Sequence, residues 1–198
     1  MAETFRKRNI QEFRSRMTGG GARSNLFEVE ITFPEILRGS IDNDTVSDKI
    51  PFLVKAAEIP ASNLGNIPVP YRGRVLPIAG DRTFDPWTVT IINDTDFALR
   101  DAMEKWSNSI NDIQTAQGKV NPENYQTSAR VFQKTRQGEG PGDTEENLRV
   151  YKFEGIYPNV VSSIPLDFGA TDQIEEFQVT FNYLFYEVQT AGGLTLND

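Results

Sequence analysis

The sequence predicts a mainly β domain, a β-sandwich or partly closed barrel with one packed α-helix. Three observations carry this. Several short stretches alternate apolar and polar residues with a period of two. Proline and glycine punctuate the chain between them. Only one segment, around residues 96–113, repeats apolar residues at spacings of three and four.

The elements follow in chain order. The first 24 residues carry a net charge of +4 and end in the glycine run at 19–21, while the remainder carries −12. They form a basic arm with Phe5, Phe13 and Met17 as a weak apolar stripe, flexible until it meets a partner. The β body spans residues 25–188. Phe27, Val29, Ile31 and Phe33 alternate with Glu28, Glu30 and Thr32, marking a strand with one dry and one wet face. Residues 34–49 are polar and predict a loop. Residues 50–58 are apolar on both faces and predict a buried strand.

Residues 63–78 combine Ile67, Val69, Tyr71, Val75 and Ile78 with Pro68, Pro70 and Pro77. Proline removes a ladder donor, so this is a projecting or edge hairpin rather than a central strand. Trp87, Val89 and Ile91 then share one face of the next strand. Leu99, Ala102, Met103, Trp106, Ile110 and Ile113 form the helical stripe. Asp94 or Thr95 stands at its start and Asp96 near its positive end.

Three strand regions follow, at 128–134, 148–156 and 159–168, with an acidic, glycine-rich loop at 137–147 between the first two. A long strand runs over 174–188, with Phe177, Val179, Phe181, Tyr183 and Phe185 on one face and Glu176, Gln178, Thr180 and Asn182 on the other. Residues 189–198 form a loose tail.

Composition narrows the function. The 198 residues include no cysteine and no histidine and carry a net charge of −8. Disulfides, thiolate metal sites and the commonest general base near neutral pH are therefore absent. No apolar run approaches the ~18–20 residues that span a bilayer, so no membrane anchor is predicted. An acidic body repels phosphate at long range. The run Gly138–Gly142 lacks the Lys-Ser/Thr ending of a phosphate cradle. Asp42, Asp44 and Asp48 share a loop but lack the glycine and distal glutamate of an EF-hand. Glu175 and Glu176 are adjacent on a strand, so they point to opposite faces and cannot flank one bond. No catalytic, cofactor or metal site is predicted.

Two segments carry a family resemblance. IAGDRTFDPWTVTIIND, residues 78–94, and YKFEGIYPNVVSSIPLDFGATDQIEEFQVTF, residues 151–181, resemble the tail tube proteins of T-even-type contractile-tailed bacteriophages. NLFEVE at 25–30 and KAAEIP at 55–60 add shorter matches. The resemblance covers about residues 25–187. The arm, the stretch near 36–48 and the acidic loop near 138–147 look like additions.

The resemblance implies a structural subunit of the virion tail and no enzyme. Six copies pool their strands into a continuous inner barrel, and the hexameric rings stack head to tail. A tail sheath surrounds the tube, baseplate and tail-terminator proteins close its ends, and DNA passes through the lumen without specific binding. Assembly takes place in the cytoplasm of the bacterial host. The inner tube of a phage-derived contractile injection or secretion system is the alternative. On this reading Glu28, Glu30, Thr32, Glu176, Gln178, Thr180 and Asn182 are candidates for the lumen wall. Tyr71, Arg72 and Arg74, at the tip of the proline-bearing hairpin, are candidates for ring stacking. A monomeric carbohydrate-binding or scaffolding β-domain is the competing class.

Overall fold

The computed structural model describes residues 10–17, 21–118, 121–135 and 147–190. The acidic loop up to residue 146, half of the basic arm and the C-terminal tail beyond residue 190 lie outside the described residues.

Nine strands and three α-helices make up the described chain. Helix α1, Ile10–Arg16, belongs to the arm and buries none of its residues. Strand β1 is Phe27–Ile31, α2 is Asn43–Leu53 and β2 is Val54–Ala57. Strands β3, Asn63–Tyr71, and β4, Arg74–Thr83, form a separate hairpin. Strand β5 is Trp87–Ile92 and α3 is Ala98–Ile110. Strands β6, Thr127–Lys134, β7, Asn147–Val161, β8, Glu176–Asn182, and β9, Phe185–Thr190, complete the fold.

The main sheet has the order β1-β6-β7-β8-β5-β2, with β9 also paired to β7, and every pairing is antiparallel. It curls without closing: β1 and β2, at its two ends, come near each other. Val29 and Ile31, Val89 and Ile91, Phe153 and Ile156, and Phe177, Val179 and Phe181 all turn inward into one core. The Trp87 ring stacks on Phe153 with centroids 4.5 Å apart, joining the two flanks of the curl. The predicted mainly β class therefore holds, as a partly closed sheet.

Helix α3 lies over the core as its stripe predicts. Leu99, Ala102, Met103 and Trp106 are buried. The helix ends sooner than the stripe suggests, and Ile113 lies beyond it, 87% exposed. Asp96, rather than Asp94 or Thr95, meets the first turn: its Oδ1 accepts the Ala98 N–H at 3.0 Å.

A second packed helix corrects the second half of the loop expected at 34–49 and the first four residues of the strand expected at 50–58, which holds from Val54 to Ala57 as β2. Val46 and Ile50 stand four apart and are buried on one face of α2, while Phe52 is exposed. The run Ile50-Pro51-Phe52-Leu53-Val54 is apolar throughout, and periodicity alone cannot separate a buried strand from a buried helix there. Thr45 Oγ1 donates to Asp42 Oδ2 at 2.6 Å, so Asp42 stands at the start of a helix, with Asp44 in its first turn.

Lys49 clamps α2 to the start of α3. Its Nζ donates to Asp94 Oδ2 at 2.9 Å and to Asp96. The hydrogen bonds that Lys49 donates to Asp96 and Asp94 raise the lysine above its ordinary value. The hydrogen bond from Lys49 holds both aspartates below the usual carboxylate range, helped by the N–H of Thr95 at Asp94 and of Ala98 at Asp96. A depressed carboxylate contributes stability above its unfolded pKa and loses it as pH falls through the folded value. A raised lysine contributes below its unfolded pKa and loses it as pH rises through the folded value. The clamp therefore acts across the neutral range. Denaturant melts of wild type and Lys49→Met are expected to differ by a constant amount between about pH 5 and 9, and to converge below pH 4. A gap independent of pH down to acid would contradict the clamp.

The C-terminal half departs from expectation in two linked ways. The strands expected at 148–156 and 159–168 are one strand, β7, which leaves the sheet after Val161. The long strand expected at 174–188 is interrupted at Tyr183 and Leu184. Pairing nonetheless runs on along β7: Tyr157 opposes Asn182 and Glu154 opposes Phe185. The Leu184 N–H donates to the Glu154 carbonyl at 2.9 Å.

The interruption reverses which residues face inward. Phe177, Val179 and Phe181 are buried before it and Val188 after it, while Phe185 is 43% exposed. The same reversal occurs opposite, between Phe153 and Ile156. It is made by Gly155, whose φ of +67° favours glycine. A Cβ there would also meet Leu184 Cδ1 at 2.6 Å. Paired irregularities let both strands bend together while keeping their apolar residues inside.

Candidate assembly surfaces

Three surfaces carry the candidate residues: the two polar flanks of the curled sheet and the projecting hairpin.

The first flank is the outer face of β1, β6, β7 and β9. Glu28 and Glu30 sit on it, opposite the buried Val29 and Ile31. Lys134 pairs with Glu28 and Lys152 with Glu154, and Arg130 Nη1 lies 3.9 Å from Glu30 Oε2. Thr32 lies just past the end of β1, where its N–H donates to the Ser128 carbonyl at 3.0 Å. Neither β1 nor β9 has a strand partner on its outer side among the described residues.

The second flank is the outer face of β8 and β5. Glu176, Gln178, Thr180 and Asn182 line it. Thr180 meets Thr88 hydroxyl to hydroxyl at 3.2 Å, and Lys55 Nζ donates to Glu176 Oε1 at 2.6 Å. Glu175 turns the other way, with Oε2 accepting from Asn93 Nδ2 at 3.0 Å, as their adjacency on an extended chain predicts. Both flanks turn their inner faces to one core, so their outer faces point away from each other. The seven lumen candidates thus fall into two groups that do not meet.

The hairpin stands off the body, and none of its residues belongs to the core. The turn Tyr71-Arg72-Gly73-Arg74 places two successive residues in the left-handed region, with φ of +47° at Arg72 and +82° at Gly73. That is the signature of a tight two-residue hairpin turn whose twist matches the strands. The Arg72 guanidinium lies over the Tyr71 ring, 5.3 Å from its centroid.

Register sorts the exposed apolar residues of the hairpin onto both faces, with Val75 opposite Pro70 on one and four aliphatic residues on the other. Ile67 opposes Ile78, Val69 opposes Leu76 and Tyr71 opposes Arg74, so these six share one face. The four aliphatic residues are 38–59% exposed. Pro68 and Pro77 oppose each other on the other face. An exposed apolar row on a two-stranded ribbon is unstable alone and calls for a covering partner.

One surface was not legible in the sequence. Residues 162–175, partly taken as a strand, leave the sheet and expose Leu166, Phe168 and Ile174. Their apolar character reads as strand core until the sheet is seen to end at Val161.

The phage tail tube protein family model matches residues 22–189. The chain belongs to that family. The tail tube protein gp19 of Enterobacteria phage T4 is 31% identical over 174 residues, covering 86% of this chain and 93% of that protein. The fold is similar to that of a chain in the anti-feeding prophage tube terminating cap, with a TM-score of 0.57 and 16% identity over 86% of this chain and 92% of the other. A chain of an extracellular contractile injection system, solved as a sheath–tube complex in the extended state, gives a TM-score of 0.54 at 12% identity, covering 92% and 99%.

Proposed function

We propose that this chain is the tube subunit of a contractile phage tail, forming six-membered rings that stack head to tail into a conduit for DNA. The observation that carries this reading is the family match across the whole β body, at 31% identity to a phage tail tube protein. The role is structural: the protein acts by assembling, not by catalysis. Its fold also resembles tube components of contractile injection machines, but at 12–16% identity that likeness speaks only to the fold.

Unpaired strand edges support the assembly step. The four-stranded flank ends in β1 on one side and β9 on the other. Joining β1 of one copy to β9 of the next removes both edges and makes one cylindrical wall. That wall presents Glu28 and Glu30 to the lumen. Glu176, Gln178, Thr180 and Asn182 then face away from it, toward neighbouring subunits or the sheath.

Head-to-tail stacking needs complementary, non-identical patches. The apolar face of the β3-β4 hairpin, with Tyr71, Arg72 and Arg74 at its tip, supplies one of them. Sheath, baseplate and tail-terminator proteins are the partners this position in the virion tail requires. No helix among the described residues is long and apolar enough to cross a membrane, and assembly in the host cytoplasm fits this placement.

Negative-stain microscopy of the purified protein at rising concentration tests the reading. Rings with sixfold symmetry, growing into stacks, are expected. Isolated globules at every concentration would overturn it.

A further inference from the structure

Strand register places a row of four charged residues straight across the first flank. Glu30 on β1 opposes Arg130 on β6, Arg130 opposes Lys152 on β7, and Lys152 opposes Glu187 on β9. The rows on either side are mostly uncharged. One is Glu28, Phe132, Val150 and Gln189, and the other is Ser128, Glu154 and Phe185. Outside this row the flank's charges are the Glu28–Lys134 pair and Glu154, so this band is the only row of the three made wholly of charged residues.

The order of signs in that band is unusual. Two bases stand directly opposite each other at its centre, an arrangement that costs stability in an antiparallel sheet. Acids enclose them. Glu30 lies beside Arg130, Glu187 stands opposite Lys152, and Glu154 on the same strand pairs with Lys152. Arg130 and Glu30 remain about half exposed, so the band is open to whatever passes over it.

We infer that this row is a neutralised girdle that lets duplex DNA slide. The inference rests on the reading that the first flank lines the lumen. Two bases per subunit, repeated around a ring, would neutralise phosphates, release counterions and brake the duplex. Glu154 pairs with Lys152, Glu30 lies 3.9 Å from Arg130, and Glu187 stands in register with Lys152, so each base has a carboxylate beside it that competes with the phosphate backbone. The bases in turn keep the acids from repelling DNA strongly enough to hinder its entry. The girdle is thus specific for not binding, and its carboxylates are what confer that.

The test uses assembled tubes and short duplex DNA. Tubes of Glu30→Gln, Glu154→Gln and Glu187→Gln combined are expected to retain at least tenfold more DNA in co-sedimentation than wild type, with retention falling steeply as salt rises. Adding Arg130→Gln and Lys152→Gln should abolish the gain. Glu176→Gln, which frees Lys55 on the other flank, should add little. Should the triple variant not assemble, the single variants Glu30→Gln and Glu154→Gln carry the test with smaller gains.

The position of the flank is checked separately by Ser128→Cys in this cysteine-free chain. A small maleimide should label the introduced thiol in tubes and in free subunits, a bulky polymer maleimide only in free subunits. Equal bulky labelling in tubes would refute the lumen placement, and the girdle with it. A protected thiol together with no gain of DNA binding in the charge variants would refute the girdle alone.

Discussion

Subunits carrying Ile67→Asp and Leu76→Asp are expected to fold normally and to form no tubes. These two side chains lie on the apolar face of the β3-β4 hairpin, 52% and 59% exposed. Neither belongs to the core, so each change costs the isolated subunit no more than about 0.5 kcal/mol. For a chain of this size that moves the melting temperature by about 1–2 °C. In the proposed stack the same face is covered, and two buried, unpaired carboxylates per contact would be prohibitive. Because each ring repeats the contact, the loss multiplies along the tube.

Sedimentation and negative-stain microscopy read the outcome, with calorimetry as the check on folding. Arg72→Glu with Arg74→Glu should weaken stacking in a salt-dependent way, because the tip acts through charge. Long tubes from the aspartate variant would show that the hairpin does not mediate stacking.

Trp106→Ala should be the most damaging single change within the subunit, at about 3–5 kcal/mol. The indole is fully buried and sits where α3 crosses the sheet. It meets Phe33 edge-on, with centroids 5.7 Å apart, and Phe181 at 6.1 Å. Its Nε1 also donates to the Tyr125 carbonyl at 2.9 Å. Truncation leaves a cavity between helix and sheet and strands that carbonyl. At about 2–4 °C per kcal/mol, the melting temperature should fall by about 6–20 °C. Trp106→Phe keeps most of the packing and loses the hydrogen bond, so its cost should be nearer 1–3 kcal/mol. Urea melts of the two variants separate the contributions. A loss below about 1 kcal/mol for Trp106→Ala would mean that α3 is not held by this residue.

The two variants act at different levels. Trp106 holds the subunit together and has no outward face. The hairpin contributes nothing to the core, and on the proposed reading it acts between copies. A protein that works by assembly separates these tasks, so stability and polymerisation can be altered independently.

Local pattern determined much of this. Alternation fixed β1, β5, β6 and the inward face of β8, because a strand with one dry face must place its apolar residues two apart. Three- and four-residue spacing fixed α3. Prolines at 68, 70 and 77 marked the hairpin as projecting, because they cannot serve a central ladder. The absence of cysteine and histidine removes the commonest reactive side chains, so surfaces carry what the sequence says of function.

What the sequence could not determine depends on partners far away in the chain. The apolar run at 50–54 fits strand or helix equally, and only packing against β1 and α3 decides for α2. The reversal at Tyr183 and Leu184 has no local mark, because it answers the glycine at 155 on the opposing strand. The grouping of the polar faces depends on how the sheet curls. Two stretches with the same alternation, 28–32 and 176–182, turn in opposite directions because their inner sides meet at one core. Periodicity reports which residues share a face of one strand, and the tertiary structure alone decides toward what that face is turned.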